Sequence, residues 1–422
     1  LKIKEAEGKI EVYAGLIDFY RTEIEKQYAD GKYKGLTSEP ELPSELLDRA
    51  AAYTDTAVIT ICRFSGEGWD RKGEPGDGDF YLSAAEERMV NDVLSRFKNI
   101  IVVINAGAQT DSEWYHSNDR ISSVLYAWQG GMEGGLAIAD ILCGDVNPSG
   151  KLADTFAKRF SDYPSSESFN ESDNYVKYYE DIYVGYRYFE TVSDAYDRVN
   201  YPFGFGLSYT SFDISDIRVH EDSGSIKISA AVTNTGAMSG KEVVQVYYSA
   251  PQGRLGKPAL ELGAFKKTDL LAPGETRRVF MEMPVEFMAS YDDLGKIQHS
   301  AYTLEKGSYR FYIGNSVRNT VKADFEYIVP EDVITEQLTR RAAPSKLEKR
   351  MLSDGSFESM PSFESCTERT APMASDASAP AEKAVLIDVF EGKLTLDEFM
   401  KQLTDDEVIG LLYGQPNTGV AD

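Results

Sequence analysis

The chain opens on helical spacing. Ile10, Val12, Tyr13, Leu16, Ile17, Tyr20 and Ile24 recur so as to predict one amphipathic helix over about residues 9 to 30. A second helix is expected from Pro43 to Tyr53. The pattern then changes: Thr56–Cys62 (TAVITIC) is a short β-branched run of the kind that forms a strand buried on both faces. Asn99–Asn105 (NIIVVIN) and Ile121–Trp128 (ISSVLYAW) read as two more buried strands. Between the first two lies SAAE, Ser83–Glu86, a capping box in which serine and glutamate satisfy orphan amides at the start of a helix running to about Phe97. Glycine-rich QGGMEGG leads into a further helix, Leu136–Cys143. Strand, helix, strand, connection, strand, helix is the order of a mainly parallel sheet with helices on both faces, an α/β sandwich over residues 1–165.

After NPSGKL, Asn147–Leu152, the periodicity fades into a polar, tyrosine-rich connection over 166–209, where Tyr179, Tyr183, Tyr186 and Tyr188 are expected to stitch the chain onto its neighbours. From Phe212 to about Val329, short alternating runs (IKISAAVTNTG, KEVVQVYYSAP, TRRVFMEMP, GSYRFYIGN) separated by turn residues predict an all-β antiparallel sandwich over 210–330. Tyr247 and Tyr248 read there as packing residues rather than a sugar platform. Residues 331–385, rich in serine, alanine, proline and glutamate, read as a linker, disordered in part. Order returns over 386–422, where TLDE (Thr395–Glu398) and TDDE (Thr404–Glu407) are two more capping boxes, the opening of a further domain.

Composition narrows the partners. A net charge of −25 repels phosphate backbones and anionic lipid, so neither nucleic acid nor a membrane surface is expected, whereas a neutral substrate is unaffected. No apolar stretch approaches the roughly 20 residues of a membrane span. Cys62, Cys143 and Cys366 are odd in number and far apart, so no disulfide framework is expected, and the first two lie in apolar runs that suggest buried thiols. Leu1 is not a start methionine and no signal-peptide core follows it, so the chain reads as trimmed at its front; cysteine usage and acidity favour a cytoplasmic setting. His116, His220 and His299 lack metal-ligand spacing, and neither metal nor cofactor is expected.

In an open parallel sheet, ligands bind beyond the carboxyl ends of the strands. Of the three loops expected there, RFSGEGWDRKGEPGDGDFY looks built for catalysis. Glu67 lies between two glycines that permit a tight, closely approached backbone. Trp69 offers a face for a sugar ring and an apolar wall that would desolvate a carboxyl group, raising its pKa as a general acid requires. Asp70 and Arg71 can pair and stiffen the loop. On these grounds alone a solvated surface glutamate is the commoner case. Asp111, Glu113 and His116 on the second loop are weaker cleft-lining candidates. Glu133 reads as a helix-opening carboxylate, and QGGMEGG lacks the lysine and serine of a P-loop.

SGEGWDRKGEPGDGDFYLS, WQGGMEGGLAIADILCGDVNPSGKL, YPFGFGLSYTSF, VTNTGAMSGKEVVQVYY and LELGAFKKTDLLAPGET together resemble glycoside hydrolase family 3, the β-glucosidase family, in family order over about residues 40 to 315. The resemblance implies a fibronectin type III-like (Ig-like) fold for the all-β sandwich and assigns to Glu67 the role of acid/base; Trp69, Asp70 and Arg71, beside it on the same loop, are the expected substrate-binding residues. It also implies an α/β domain that lacks its first strand and helix here. KLTLDEFMKQLTDDEVIGLLYGQPNTGVAD is similar to the start of the family's (β/α)₈ barrel, which ordinarily comes first and carries the aspartate nucleophile, so the domain order reads as permuted.

The expected activity is retaining hydrolysis of terminal β-D-glucosyl bonds, with β-D-xylosyl bonds as the variant within the family. The expected partners are an oligosaccharide or aryl β-glucoside and the remaining barrel, in the same polypeptide or as a second fragment. The chain alone is expected to be inactive. A homo-oligomer is left open, and so are a carbohydrate-binding unit without turnover and a purely structural module.

Overall fold

Most helix and strand starts follow the local signals, but the first long helix begins at Ala14, not near residue 9, with Tyr13 still extended. The computed structural model describes residues 1–33, 35–64, 72–169, 171–339, 347–361 and 383–412. Two units are distinguished: Leu1–Thr339 with Lys346–Ser362, and Arg340–Ser345 with Phe363–Asp422. The first unit begins with α1 (Lys2–Ala6), α2 (Ala14–Ala29), α3 (Ser44–Tyr53), β1 (Thr56–Cys62), α4 (Ala84–Arg96), β2 (Asn99–Asn105), α5 (Glu113–His116), β3 (Ile121–Tyr126) and α6 (Gly134–Leu142). The three strands form a parallel sheet in the order β1-β2-β3. The capping box at Ser83 and Glu86 is formed and starts α4.

Ile59, Ile61, Ile100, Val102 and Ile104 pack on Leu47 and Ala50 of α3 and on Met89, Val90 and Val93 of α4, with Leu16, Phe19 and Tyr20 of α2 against the same core. The expectation that β1 is buried on both faces does not hold: burial alternates along it, and Val58, Thr60 and Cys62 are exposed. β1 is the outer strand of the sheet among the described residues, and its second side carries no covering layer there. Cys62, expected as a buried thiol, is on that exposed side; it and Cys143 are free. Cys366 lies outside the described residues.

The chain continues through β4 (Phe156–Ala157), α7 (Tyr186–Phe189) and β5 (Val199–Tyr201). Then come β6 (Phe212–Asp222), β7 (Ser225–Asn234), β8 (Val243–Ser249), β9 (Glu261–Lys267), β10 (Thr276–Pro284), β11 (Ser290–Asp292), β12 (Ala301–Leu304), β13 (Gly307–Ser316) and β14 (Asn319–Val329). Sheets β10-β7-β6 and β14-β13-β8-β9 are antiparallel. Residues from both sheets share one core: Ile226, Ile228, Ala230 and Val232 from the first, Val244, Val246, Phe311 and Ile313 from the second. This is the expected sandwich, and burial in β7 alternates strictly along its length. Tyr247 and Tyr248 are both buried, so they pack and present no platform.

The tyrosine-rich connection is tied in as expected. The Tyr186 hydroxyl accepts a hydrogen bond from Leu262 N at 2.9 Å, and its ring lies 4.6 Å from Phe203 and 6.0 Å from Tyr247. Tyr183 and Tyr188 belong to a third small core with Phe189, Val192 and Met351. Met351 comes from a region expected to be linker, part of which is strand. β15 (Val333–Gln337) pairs with β12, and β16 (Lys349–Met351) pairs with β17 (Phe357–Ser359). Met351 N donates to Tyr179 O at 2.7 Å, and Arg350 bridges Asp293 and Glu358.

In the second unit, α8 (Leu386–Phe390), α9 (Leu396–Lys401) and α10 (Asp405–Gly410) follow one another. The Thr395 and Thr404 capping boxes are both formed. Gln402 exchanges hydrogen bonds with Ala384, and Lys383 pairs with Glu407 at 2.6 Å.

Candidate active site

The parallel register places three loop origins in one row. Cys62 pairs with Asn105, and Ile104 pairs with Tyr126, so the excursions after β1, β2 and β3 leave the same carboxyl edge side by side. Backbone bonds extend this row: Arg63 N donates to Asn105 O at 2.9 Å and Ala127 N to Ile104 O at 2.8 Å. The Asn105 side chain donates to Trp128 O at 2.6 Å. Trp128 has φ +52°, a left-handed conformation that costs energy for an aromatic residue, and this bond helps to hold it.

The loops are also joined above the sheet. Asp111 N donates to Phe80 O at 2.8 Å, the Tyr126 hydroxyl donates to Ala108 O at 2.6 Å, and Phe160 N donates to the Tyr81 hydroxyl at 3.1 Å. Phe80 is buried with its ring 5.4 Å from Phe160 and 6.4 Å from Tyr163, and the Tyr163 hydroxyl bonds to the Gln109 side chain. The result is a hydrogen-bonded rim along the carboxyl ends, the position at which α/β sheets bind ligands.

Glu67, Trp69, Asp70 and Arg71 lie in the first of these excursions, outside the described residues. Both limbs of that excursion are described, and they converge on Arg63, which sequence reasoning passed over. Its side chain is 5% exposed. Nε donates to Asp79 O at 2.6 Å; Nη1 donates to Cys62 O at 2.8 Å and Glu86 Oε1 at 2.7 Å; Nη2 donates to Tyr81 O at 3.3 Å and Glu86 Oε2 at 3.0 Å. The signal available in the sequence was an arginine directly after a strand, followed by a capping-box glutamate, but nothing local says that the two meet.

The weaker candidates have structural partners. Asp111 Oδ1 accepts from Glu113 N at 2.9 Å at the start of α5, and burial pushes its carboxyl above the ordinary range while that amide pulls it back. Glu113 Oε2 accepts from Asn200 Nδ2 at 3.0 Å, and the His116 ring lies edge-on to Tyr201 at 5.1 Å. Glu133 is the residue before α6, and its side chain makes no capping bond. Among the described residues no group of three His, Cys, Asp or Glu side chains is placed to hold a metal ion.

Comparison with known proteins agrees with this architecture. Residues 7–209 match the glycosyl hydrolase family 3 C-terminal domain, and residues 242–317 match a fibronectin type III-like domain. The chain carries a family 3 glycosyl hydrolase C-terminal domain followed by a fibronectin type III-like domain. Beta-glucosidase A of Butyrivibrio fibrisolvens is 46% identical over 475 residues, covering 98% of this chain and 57% of that protein. A beta-glucosidase of Ruminococcus albus is 39% identical over 386 residues, 89% of this chain and 40% of its own length. Among solved structures, a beta-glucosidase from Paenibacillus barengoltzii superposes with a TM-score of 0.83 at 38% identity, over 94% of this chain and 46% of that one. Beta-glucosidase 3B from Thermotoga neapolitana, solved in complex with glucose, superposes with a TM-score of 0.69 at 38% identity, over 78% of this chain and 46% of that one. The chain thus spans about half the length of these relatives.

Proposed function

We propose that this chain is part of a retaining β-glycosidase of the β-glucosidase type, acting on terminal non-reducing β-D-glucosyl residues, and that Glu67 is its general acid/base. The observation that carries the reading is the row of loop origins at the carboxyl edge, with the SGEG motif in the excursion from β1. Retaining glycosidases set two carboxyl groups about 5 to 5.5 Å apart across the scissile bond. One attacks the anomeric carbon; the other protonates the leaving oxygen and then deprotonates water. Glu67 takes the second role, with Trp69, Asp70 and Arg71 beside the sugar. The first belongs to an aspartate outside this chain.

In this reading, residues 386–422 open the (β/α)₈ barrel in a permuted order, and the barrel completes the site, in the same polypeptide or as a second fragment. The chain alone is inactive. In the complete enzyme, Glu67→Gln abolishes most turnover of cellobiose, whose leaving group needs a proton, and spares kcat/KM for activated aryl glucosides, whose first step needs none, while their kcat falls because water is no longer deprotonated. Equal cellobiose turnover by variant and parent would remove Glu67 from the mechanism, and turnover of an aryl glucoside by the purified chain would show that no second part is needed.

A further inference from the structure

We propose that Arg63 is the positioning residue of the acid/base loop: its guanidinium clips together the two limbs of the excursion that carries Glu67 and so fixes where the acid acts. The proposal rests on the Glu67 reading above.

The geometry of the clip is complete in itself. A guanidinium has five N–H donors in a rigid fork, and all five are used here. One bond goes to the outgoing limb, at Cys62 O. Two go to the returning limb, at Asp79 O and Tyr81 O. Two go as a bidentate pair to Glu86, whose position is set independently by the helix start: Glu86 Oε2 also accepts from Ser83 N at 2.8 Å, and Glu86 N donates to Ser83 Oγ at 3.2 Å. The loop base is therefore referenced to β1 on one side and to the first turn of α4 on the other. Two further bonds tighten the returning limb, Lys72 N to Asp79 Oδ2 at 2.8 Å and Phe80 N to Lys72 O at 3.1 Å.

A buried ion pair is weak evidence of stabilisation, because removing two charges from water costs about what their attraction returns. Its better-supported use is to select one geometry among several, and here the geometry selected is that of a loop base. A general acid contributes about 10² to 10⁴ in rate, and a displacement of about 1 Å can cost about 10² of it. Lysine at position 63 would keep the charge but not the fork, so it could not hold both limbs and Glu86 together.

The experiment is a cycle in the complete enzyme: parent, Arg63→Lys, Glu67→Gln and the double variant, each shown folded by near-ultraviolet circular dichroism. The quantity compared is kcat/KM, which reports the first chemical step, on cellobiose and on aryl glucosides of graded leaving-group pKa. Arg63→Lys is expected to lower kcat/KM on cellobiose by about 10- to 100-fold, to change kcat/KM on the most activated aryl glucoside by less than about threefold, and so to steepen the dependence of kcat/KM on leaving-group pKa. Adding Arg63→Lys to Glu67→Gln is expected to cost little more, because the clip acts through the acid. A uniform loss across all leaving groups, or losses that multiply in the double variant, overturns the positioning role. If Glu67→Gln itself shows no leaving-group dependence, it is the Glu67 reading that fails. Should Arg63→Lys not fold, Glu86→Gln, which removes the charge and one acceptor of the pair, takes its place with the same expected signature in smaller degree, and a leaving-group-independent effect of Glu86→Gln likewise overturns the proposal.

Discussion

The Lys257 ammonium is wholly buried in the β-sandwich domain and is paired with the Glu305 carboxylate. The carboxylate also accepts from the backbone amides of Arg254 and Leu255, so it closes the 253–257 turn. Removing one partner of a buried pair leaves an uncompensated charge and costs about 3–5 kcal/mol, whereas replacing both by apolar groups of similar shape costs far less. Lys257→Met is therefore expected to destabilise the protein by about that amount, and a further Glu305→Gln change, which removes the stranded charge and keeps an acceptor for the turn amides, to restore part of it. Denaturant unfolding of the two variants measures the difference; a single variant as stable as the parent refutes the account.

Asp292 sets a pH dependence. It is 1% exposed. Burial by itself raises its carboxyl, but the amides of Ile297, Lys296, Gln298 and Gly295 overcome this and hold it below the ordinary range. A depressed folded-state pKa contributes stability that is present above the unfolded value of about 3.9 and is lost as pH falls through the folded value. Asp292→Asn should therefore cost about 1.5–3 kcal/mol at pH 7, with the gap to the parent closing only below about pH 4. Urea unfolding at pH 7, 5 and 3 tests this, and a gap unchanged at pH 3 would exclude the charge as its source.

Gly206 has no room for a side chain. A Cβ there would lie 2.2 Å from Gly150 O. The two segments it joins, NPSGKL and YPFGFGLSY, are laced by Leu152 N to Phe205 O and Gly204 N to Leu152 O, both 2.8 Å. Lys151 reaches Gly206 O at 3.0 Å and Glu242 of the sandwich at 2.8 Å. Gly206→Ala is expected to cost about 1–3 kcal/mol through the clash and to lower the melting temperature, while Gly224→Ala, at an open turn with φ +79°, costs only the backbone strain of about 1–2 kcal/mol. Equal melting temperatures for the Gly206 variant and the parent would show that the joint yields.

How much of this was legible in the sequence depended on how local the cause was. The capping boxes at Ser83, Thr395 and Thr404 are decided within four residues, and all three are formed. Strands β7, β8, β10 and β13 announced themselves by apolar alternation or β-branched runs. β6 did not: a register shift between Ser215 and Arg218, with Asp216 at φ +43°, breaks its period. The apolar run of β1 gave the strand but not its surroundings, because a run of valine and isoleucine does not say how many faces are covered. Arg63 was invisible for a similar reason: its role is set by Asp79, Tyr81 and Glu86, between 16 and 23 residues away. Glu67 was singled out by its glycine flanks and its neighbour Trp69, but those features fit a solvated surface glutamate better, and only the family motif gave it a role.

The hairpin of β16 and β17 makes the apparent end of the sandwich a misleading place to divide the polypeptide. Met351 packs with Tyr183, Tyr188, Phe189 and Val192; Lys177 pairs with Glu348 just before β16, and Arg350 of β16 pairs with Asp293 and with Glu358 of β17. A recombinant fragment ending near Thr339 would expose those rings to solvent and strip the connection of its lid, so dissection of this protein into expressible parts has to keep the chain to about Pro361.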